Sequence, residues 1–119
     1  MQVAWESVNG AWVVRLGGRL DVSKSEELEK ILRQMLKQEP RPLIVNLEDV
    51  SYLSSSGIGV LLGIFRQLKG LDLQMVLCQV SPAVEKLLEV VELSQVFEIF
   101  DREDDAIASV GGTGNSGSV

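Results

Sequence analysis

The segment PLIVNLEDVSYLSSSGIGVLLGIFRQLK, residues 42–69, joins two hydrophobic patterns across a cluster of serines. Residues 42–47 form a short continuous apolar run, which is typical of a buried strand. From about Ser56 to Lys69 the apolar side chains recur at helical spacing, and they are Ile58, Leu61, Leu62, Phe65 and Leu68. The segment therefore predicts a strand, a connecting loop that ends in Ser54, Ser55 and Ser56, and a helix.

Strand and helix patterns alternate through the rest of the chain. Asn9-Gly10 predicts a tight hairpin turn between strands near residues 2–8 and 11–17. Ser23 and Glu26 form a capping-box pattern, which places the start of a helix near Lys24. Further along, the patterns predict strands at 71–80 and 95–100 and helices at 82–93 and 102–110.

This order, ββαβαβαβα, predicts one α/β domain with a mixed sheet of about five strands and four helices. Each strand–helix–strand repeat implies a right-handed parallel crossover, and the N-terminal hairpin implies one antiparallel edge. We expect the domain to span residues 1–109. The glycine- and serine-rich residues 110–119 are expected to form a flexible tail.

The composition argues against several classes of function. A formal net charge of −6 disfavours nucleic-acid binding, which needs clustered basic residues. The chain has no histidine, so Ser-His and Cys-His catalytic pairs are excluded, and its single cysteine, Cys78, excludes internal disulfides. Cys78 lies in an apolar run and is expected to be a buried thiol. Since the N-terminus lacks a signal-peptide pattern and no window suits a membrane span, we expect a cytoplasmic protein.

Three consecutive serines at the predicted helix start exceed what helix capping requires. One serine oxygen can accept a hydrogen bond from an unpaired backbone N–H, which contributes about 1 kcal/mol. A helix N-terminus also favours an anion, including a phosphate attached to serine. Capping by one serine and phosphorylation of another therefore both remain open.

Two glycines lie four residues apart in the same helix, Gly59 and Gly63. Glycine inside a helix costs about 1 kcal/mol relative to alanine, so a close approach to the backbone is expected on that side. The approaching group is either the protein's own sheet or helix, or a partner. Val60 and Ile64 flank the glycines off the main apolar face, where we expect exposed apolar contacts.

Two chemical alternatives fit the glycines and serines poorly. Gly57, Gly59 and Gly63 do not match the G-x-G-x-x-G dinucleotide fingerprint, because the third glycine comes one residue late. A serine hydrolase would need G-x-S-x-G and a general base, and neither is present. We therefore do not expect an enzyme.

Four segments together resemble a STAS domain, specifically a bacterial anti-sigma-factor antagonist. They are VVRLGGRLDVSKSEEL, PLIVNLEDVSYLSSSGIGVLLGIFRQLK, MVLCQVSPAVEKLLEVVEL and VFEIFDREDDAI, which cover roughly residues 2–109. The resemblance implies a small domain that binds a kinase-type anti-sigma factor and so frees a sigma factor. It implies no cofactor of its own, since the ATP and magnesium are used by the kinase.

The resemblance also assigns roles to residues. It implies that the kinase phosphorylates Ser55, with Ser54 and Ser56 as less favoured acceptors, and that a PP2C-type phosphatase reverses the reaction. The family commonly has aspartate where this chain has Ser54, so phosphorylation is expected to be weakened, shifted by one residue or absent. The implied partner surface contains Asp21, Ser23, Ser54, Ser56, Gly57, Ile58, Gly59, Val60, Gly63 and Ile64.

Two alternatives remain beside the phosphorylated switch. The chain could be a STAS scaffold or assembly module that is never phosphorylated, or a sensor of a small ligand or nucleotide. We expect a monomer or a weak dimer in either case.

Overall fold

The computed structural model describes residues 1–116, with side chains described through residue 110. Nine elements follow the predicted order, and their bounds are β1 Gln2–Val8, β2 Ala11–Leu20, α1 Val22–Gln38, β3 Leu43–Leu53, α2 Ser55–Lys69, β4 Met75–Cys78, α3 Pro82–Val90, β5 Glu98–Phe100 and α4 Glu103–Ser116. Residues 117–119 and the side chains of residues 111–116 lie outside the described residues. The flexible tail expected over residues 110–119 therefore stays a prediction.

The five strands form one sheet in the order β1-β2-β3-β4-β5. Strand β1 pairs with β2 in antiparallel fashion, and the remaining neighbours are parallel. Each parallel pair is joined by one helix, as the strand–helix–strand pattern predicts. The α/β class and the mixed sheet with an N-terminal hairpin are thus confirmed.

The two faces of the sheet are covered unequally because side chains alternate along each strand. One face carries the larger core, in which Val14, Val45 and Leu77 pack with residues of α1, α2 and α3. The opposite face carries a smaller cluster that includes Val13, Ile44, Val76 and Cys78, covered by Ala106 and Val110 of α4. The buried position expected for Cys78 is confirmed.

Several predicted boundaries are wrong. β3 continues to Leu53 instead of ending at residue 47, so no loop precedes the serines. α1 begins at Val22 with Asp21 as its N-cap, so Ser23 lies inside the first turn and does not form the capping box. β4 spans only four residues, and α3 ends at Val90.

Two bulges on β3, which face the second half of β2, set the position of the α1 start. The pairing of β2 with β3 shifts register between Arg15 and Gly17 and again between Gly18 and Arg19. Gly18 has a φ of +84°, a conformation that strongly favours glycine. The two extra residues on β3 bring Leu20 opposite Leu53, so that α1 and α2 begin side by side.

Candidate functional site

Ser54 is a structural residue at the start of α2. It is the N-cap, and its Oγ accepts a hydrogen bond from the Gly57 amide at 3.1 Å. Its own amide donates to the Leu20 carbonyl at 2.9 Å, and the residue is only 8% exposed. The capping interpretation of the serine cluster is therefore correct for Ser54, and its burial contradicts the expectation that Ser54 contacts a partner directly.

The first two residues of α2, Ser55 and Ser56, are exposed. The first intrahelical hydrogen bond runs from the Ile58 amide to the Ser54 carbonyl at 3.0 Å. The amides of Ser55 and Ser56 precede that bond and are left to solvent or to an anion. Both hydroxyls can therefore be reached from solution, at a helix end that favours negative charge.

The N-termini of α1 and α2 meet through a second serine, Ser25, which the sequence interpretation did not single out. Ser25 is buried; its Oγ donates to the Asp21 carbonyl at 2.7 Å and lies 3.4 Å from the Ser54 Oγ. Asp21 is exposed and caps α1, since its Oδ1 accepts from the Lys24 amide at 3.0 Å. The two predicted site residues Asp21 and Ser55 thus belong to adjoining helix starts.

Gly57 allows the starts of α1 and α2 to lie close together. A Cβ placed on Gly57 would lie 2.6 Å from the Leu53 Cδ1 and 3.2 Å from the Ser25 Oγ. No side chain fits there without movement of the neighbours. Gly57 is buried, so the expectation that it contacts a partner is not supported by its position.

Gly59 and Gly63 lie on the outer side of α2. A Cβ on Gly59 would meet nothing within 4 Å, and one on Gly63 would meet only the Arg33 Nη2 at 3.5 Å. Internal packing therefore does not require glycine at either position. Of the two explanations for the pair, a group that approaches from outside fits the geometry better than packing within the chain.

The expected exposure of Val60 and Ile64 is wrong. Val60 is 8% exposed and Ile64 is fully buried, because the buried face of α2 consists of Gly57, Val60, Leu61, Ile64 and Leu68. Ile58 is instead partly exposed. The helix is rotated relative to the predicted face, so Ile58 takes the position beside the serines that was expected for Val60 and Ile64.

A shallow groove of about 320 Å³ runs from the start of α2 to α3, and its walls are formed by Ser51, Tyr52, Leu53, Ser55, Ile58, Ala83, Val84, Leu87 and Val91. Tyr52 is 42% exposed, and the Arg19 guanidinium lies 4.4 Å from the centre of its ring. The groove thus combines apolar walls with the Ser55 hydroxyl at the start of α2, and the Arg19 guanidinium is stacked on the Tyr52 ring beside the groove. Sequence reasoning missed Tyr52 because the residue lies in the polar part of β3.

A charged network lies on the opposite face of the sheet. Arg15 donates to Glu103 at 2.9 and 2.8 Å and to Glu6 at 2.5 Å, and the Asn46 amide donates to Glu103 at 2.9 Å. The hydrogen bonds from Arg15 hold the pKa of Glu103 below its usual value. Burial raises the pKa of the Cys78 thiol to about 12. This network joins α4 to the sheet and lies apart from the serines.

Two other kinds of feature are absent from the described part of the chain. No group of three or more His, Cys, Asp or Glu side chains there could hold a metal ion. Among the same residues, no helix has the length and apolar character needed to cross a membrane.

Comparison with known proteins gives consistent matches. The sequence model of the STAS domain family matches residues 2–106. An anti-sigma-B factor antagonist of Staphylococcus aureus is 35% identical over 86 residues, covering 72% of this chain and 80% of the relative.

Two solved structures of the anti-sigma factor antagonist SpoIIAA share the fold. The unphosphorylated form superposes with a TM-score of 0.80 at 28% identity, covering 93% of this chain and 97% of the other. The phosphorylated form of the Bacillus protein superposes with a TM-score of 0.73 at 26% identity, covering 91% and 98%.

Proposed function

Because this chain belongs to the STAS domain family, we propose that it is an anti-sigma-factor antagonist controlled by phosphorylation of Ser55. In its unmodified form it binds a kinase-type anti-sigma factor, and a sigma factor is released. The kinase inactivates it by transferring a phosphate to Ser55, and a PP2C-type phosphatase restores it. The relatives, named as anti-sigma factor antagonists, support the general function.

We assign phosphorylation to Ser55 because the three serines have different environments. Ser54 is buried and its oxygen is occupied as the N-cap. Ser55 and Ser56 are exposed, but only Ser55 also lines the groove beside Tyr52. A phosphate on Ser55 would therefore lie next to the surface that we assign to the partner.

The physical basis of the switch is charge placed at an apolar surface. A phosphoserine carries about −1.5 to −2 charges at neutral pH. The α2 N-terminus tolerates this charge within the chain, because unpaired amides and the helix dipole favour an anion. A partner that buries Ile58 and Leu87 would have to desolvate the dianion, so binding is weakened without unfolding of the domain.

The proposed partner surface is the exposed part of the predicted set together with the groove. It comprises Asp21, Ser23, Ser55, Ser56, Ile58, Gly59, Gly63, Tyr52 and Leu87. Gly59 and Gly63 contribute by the absence of a side chain, which lets a partner helix approach the α2 backbone. The chain catalyses no reaction itself in this mechanism. We place it in the cytoplasm with its partners.

The decisive test measures phosphate transfer and partner binding on matched variants. The purified chain is incubated with its cognate anti-sigma kinase and with Mg-ATP, and its intact mass is recorded. We expect one added phosphate in the wild type and in Ser56→Ala, and none in Ser55→Ala. One phosphate on Ser55→Ala would refute the assignment.

Binding to the kinase separates the charge effect from the loss of the hydroxyl. By isothermal titration, Ser55→Asp is expected to bind at least about tenfold more weakly, which corresponds to a loss of about 1.4 kcal/mol in binding free energy. Ser55→Asn, which has nearly the same shape without the charge, should bind like the wild type. Equal affinity of the two variants contradicts a charge-based switch.

A second function is favoured by the serine at position 54, where the family commonly has aspartate. With no carboxylate beside Ser55, the chain would act as a STAS scaffold that binds through α2 and is never phosphorylated. In that case Gly59→Leu should abolish partner binding, because a side chain would fill the open surface over α2. Under the same function, Ser55→Asp and Ser55→Asn should both bind normally.

A further inference from the structure

A pocket of about 420 Å³ lies between the N-terminal hairpin and α1. Its apolar walls are Trp5 and Trp12 of the hairpin and Ile31 and Met35 of α1, and polar residues complete the lining. Pockets of this size with mainly apolar and aromatic walls are typical of small-molecule sites. None of the lining residues belongs to the partner surface proposed around Ser55.

The two indoles stand on the same face of the hairpin. Trp5 pairs with Val14, and Trp12 pairs with Ser7. The tryptophans are therefore diagonal cross-strand neighbours, and both side chains are on the side of the sheet that α1 covers. Diagonal neighbours on an antiparallel pair lie about 7–8 Å apart. Because carbon atoms are in optimal contact at about 3.5–4.0 Å, this separation leaves room for one planar ring that touches both indoles.

Trp12 is held in place by its neighbours, so one wall of the pocket is already fixed. Its Nε1 donates to the Glu39 carbonyl at 2.9 Å, and the Arg41 guanidinium lies 4.6 Å from the centre of its ring. Arg41 is itself bound by the Glu39 carboxylate and the Ser7 hydroxyl. Since Arg41 is not one of the described residues that line the pocket, its guanidinium covers the indole from another side. Trp5 is 49% exposed and forms the wall nearest to solvent.

The polar residues of the pocket favour a neutral ligand with an amide-like group. Glu39 is the charged residue of the lining, and Arg41 neutralises its carboxylate. Gln34 and Gln38 lie on one side of α1, and neither side-chain amide has a hydrogen-bond partner among the described residues. Each amide offers donors and an acceptor, and a ligand amide can pair with both kinds. A charged ligand group would instead lose its solvation without meeting an unpaired opposite charge.

From this arrangement, we propose that the pocket binds a small neutral aromatic amide. Its aromatic ring lies between Trp5 and Trp12, and its amide group pairs with the side chain of Gln34 or Gln38. Indoles favour aromatic over aliphatic rings, because stacked and edge-to-face ring contacts add to the burial of apolar area. The site is separate from Ser55, so its test does not depend on the proposed function.

Benzamide is the probe, because it is neutral, planar and carries one carboxamide. The chain has two tryptophans, so two indole N–H signals in proton–nitrogen NMR spectra of the full chain report on the two walls. We expect both signals to shift and saturate with benzamide, with a Kd on the order of 1 mM, as is usual for a ligand of this size. Cyclohexanecarboxamide lacks the flat ring and benzoate replaces the amide by a charge, so each should bind at least about tenfold more weakly. Absence of saturation with benzamide up to about 20 mM, or equal binding of either analogue, overturns the proposal.

Matched variants separate binding in the pocket from binding elsewhere on the chain. Trp5→Leu keeps an apolar side chain on β1 but removes one aromatic wall, so it should weaken benzamide binding at least about tenfold, with Trp12 as the remaining reporter. Leu71→Ala is the control and should bind like the wild type, because Leu71 is 53% exposed and lies outside the pocket. Circular dichroism establishes that both variants are folded. Unchanged affinity of Trp5→Leu would show that benzamide does not lie between the indoles, and the assignment of the pocket would then be wrong.

Discussion

Substituting alanine for the two glycines at positions 57 and 59 should change stability in opposite directions. Both lie in α2, so alanine gains up to about 1 kcal/mol of helix propensity at each. The Cβ on Gly59 meets nothing within 4 Å, so Gly59→Ala should stabilise by about 0.5–1 kcal/mol. The Cβ on Gly57 meets the Leu53 Cδ1 at 2.6 Å and the Ser25 Oγ at 3.2 Å.

Leu53 and Ser25 are buried, so neither side chain can move aside freely. Such overpacking costs about 1–3 kcal/mol, which exceeds the propensity gain and leaves Gly57→Ala destabilised by about 1 kcal/mol. The two variants should then differ by about 2 kcal/mol, or roughly 1 M in the urea midpoint. Urea titrations followed by circular dichroism measure this directly. Equal midpoints would refute the argument that Gly57 permits the contact between the helix starts.

Three further predictions concern residues outside the glycine pair. Ser54→Ala removes the α2 cap and should lower the free energy of unfolding by about 1–2 kcal/mol in urea titrations, whereas the exposed Ser56→Ala should change it by less than about 0.5 kcal/mol. Arg15 lowers the pKa of Glu103 in the folded state, so the ionised Glu103 side chain stabilises the fold. This contribution to the free energy of unfolding is fully present above the ordinary glutamate pKa of 4.5 and is lost as the pH falls through the lowered folded-state pKa. Thermal unfolding between pH 6 and pH 3 should therefore decline more steeply in the wild type than in Glu103→Gln; parallel curves would contradict this. Cys78, with its pKa raised to about 12 by burial, should react with Ellman's reagent at pH 8 only after unfolding in urea, and rapid labelling of the folded chain would show that the thiol is accessible.

The order of elements could be predicted because each one carries its own local signal. The Asn9-Gly10 turn, the apolar runs of β3 and β4, and Pro82 at the start of α3 all act over a few residues. The residues at which these elements begin and end depend instead on contacts with neighbouring strands and helices. Beyond Asn46, β3 pairs with β2 but no longer with β4, and its exposed residues Glu48, Asp49, Ser51 and Tyr52 make the strand resemble a polar loop in sequence.

The orientation of α2 could not be predicted, because the helix is apolar around most of its circumference. Ile58, Leu62 and Phe65 fit helical spacing as well as Leu61, Ile64 and Leu68 do. The contact at Gly57 selects the second set, and it depends on Leu20, Ser25 and Leu53 from three other segments.

The position of Ser55 at the start of α2 was predicted, but the contributions of Ser25, Arg19 and Tyr52 beside it were not. The position of Ser55 follows from the local helix start. Ser25 reaches the site only because the β3 bulges bring the start of α1 beside α2, and Arg19 meets Tyr52 through the same shifts in register. Such pairings are tertiary and leave no local pattern.

The aspartate that the family commonly has at position 54 can be restored without loss of the cap. Aspartate and serine are comparable N-caps, and the Gly57 amide that donates to the Ser54 hydroxyl can donate to a carboxylate in its place. In urea titrations, Ser54→Asp should therefore keep the wild-type free energy of unfolding within about 1 kcal/mol, and Ser54→Asn, which caps without charge, serves as its control. If the missing carboxylate weakens phosphorylation, the kinase should modify Ser55 faster in Ser54→Asp than in Ser54→Asn. Equal rates in the two variants would show that the serine at position 54 acts only as a cap.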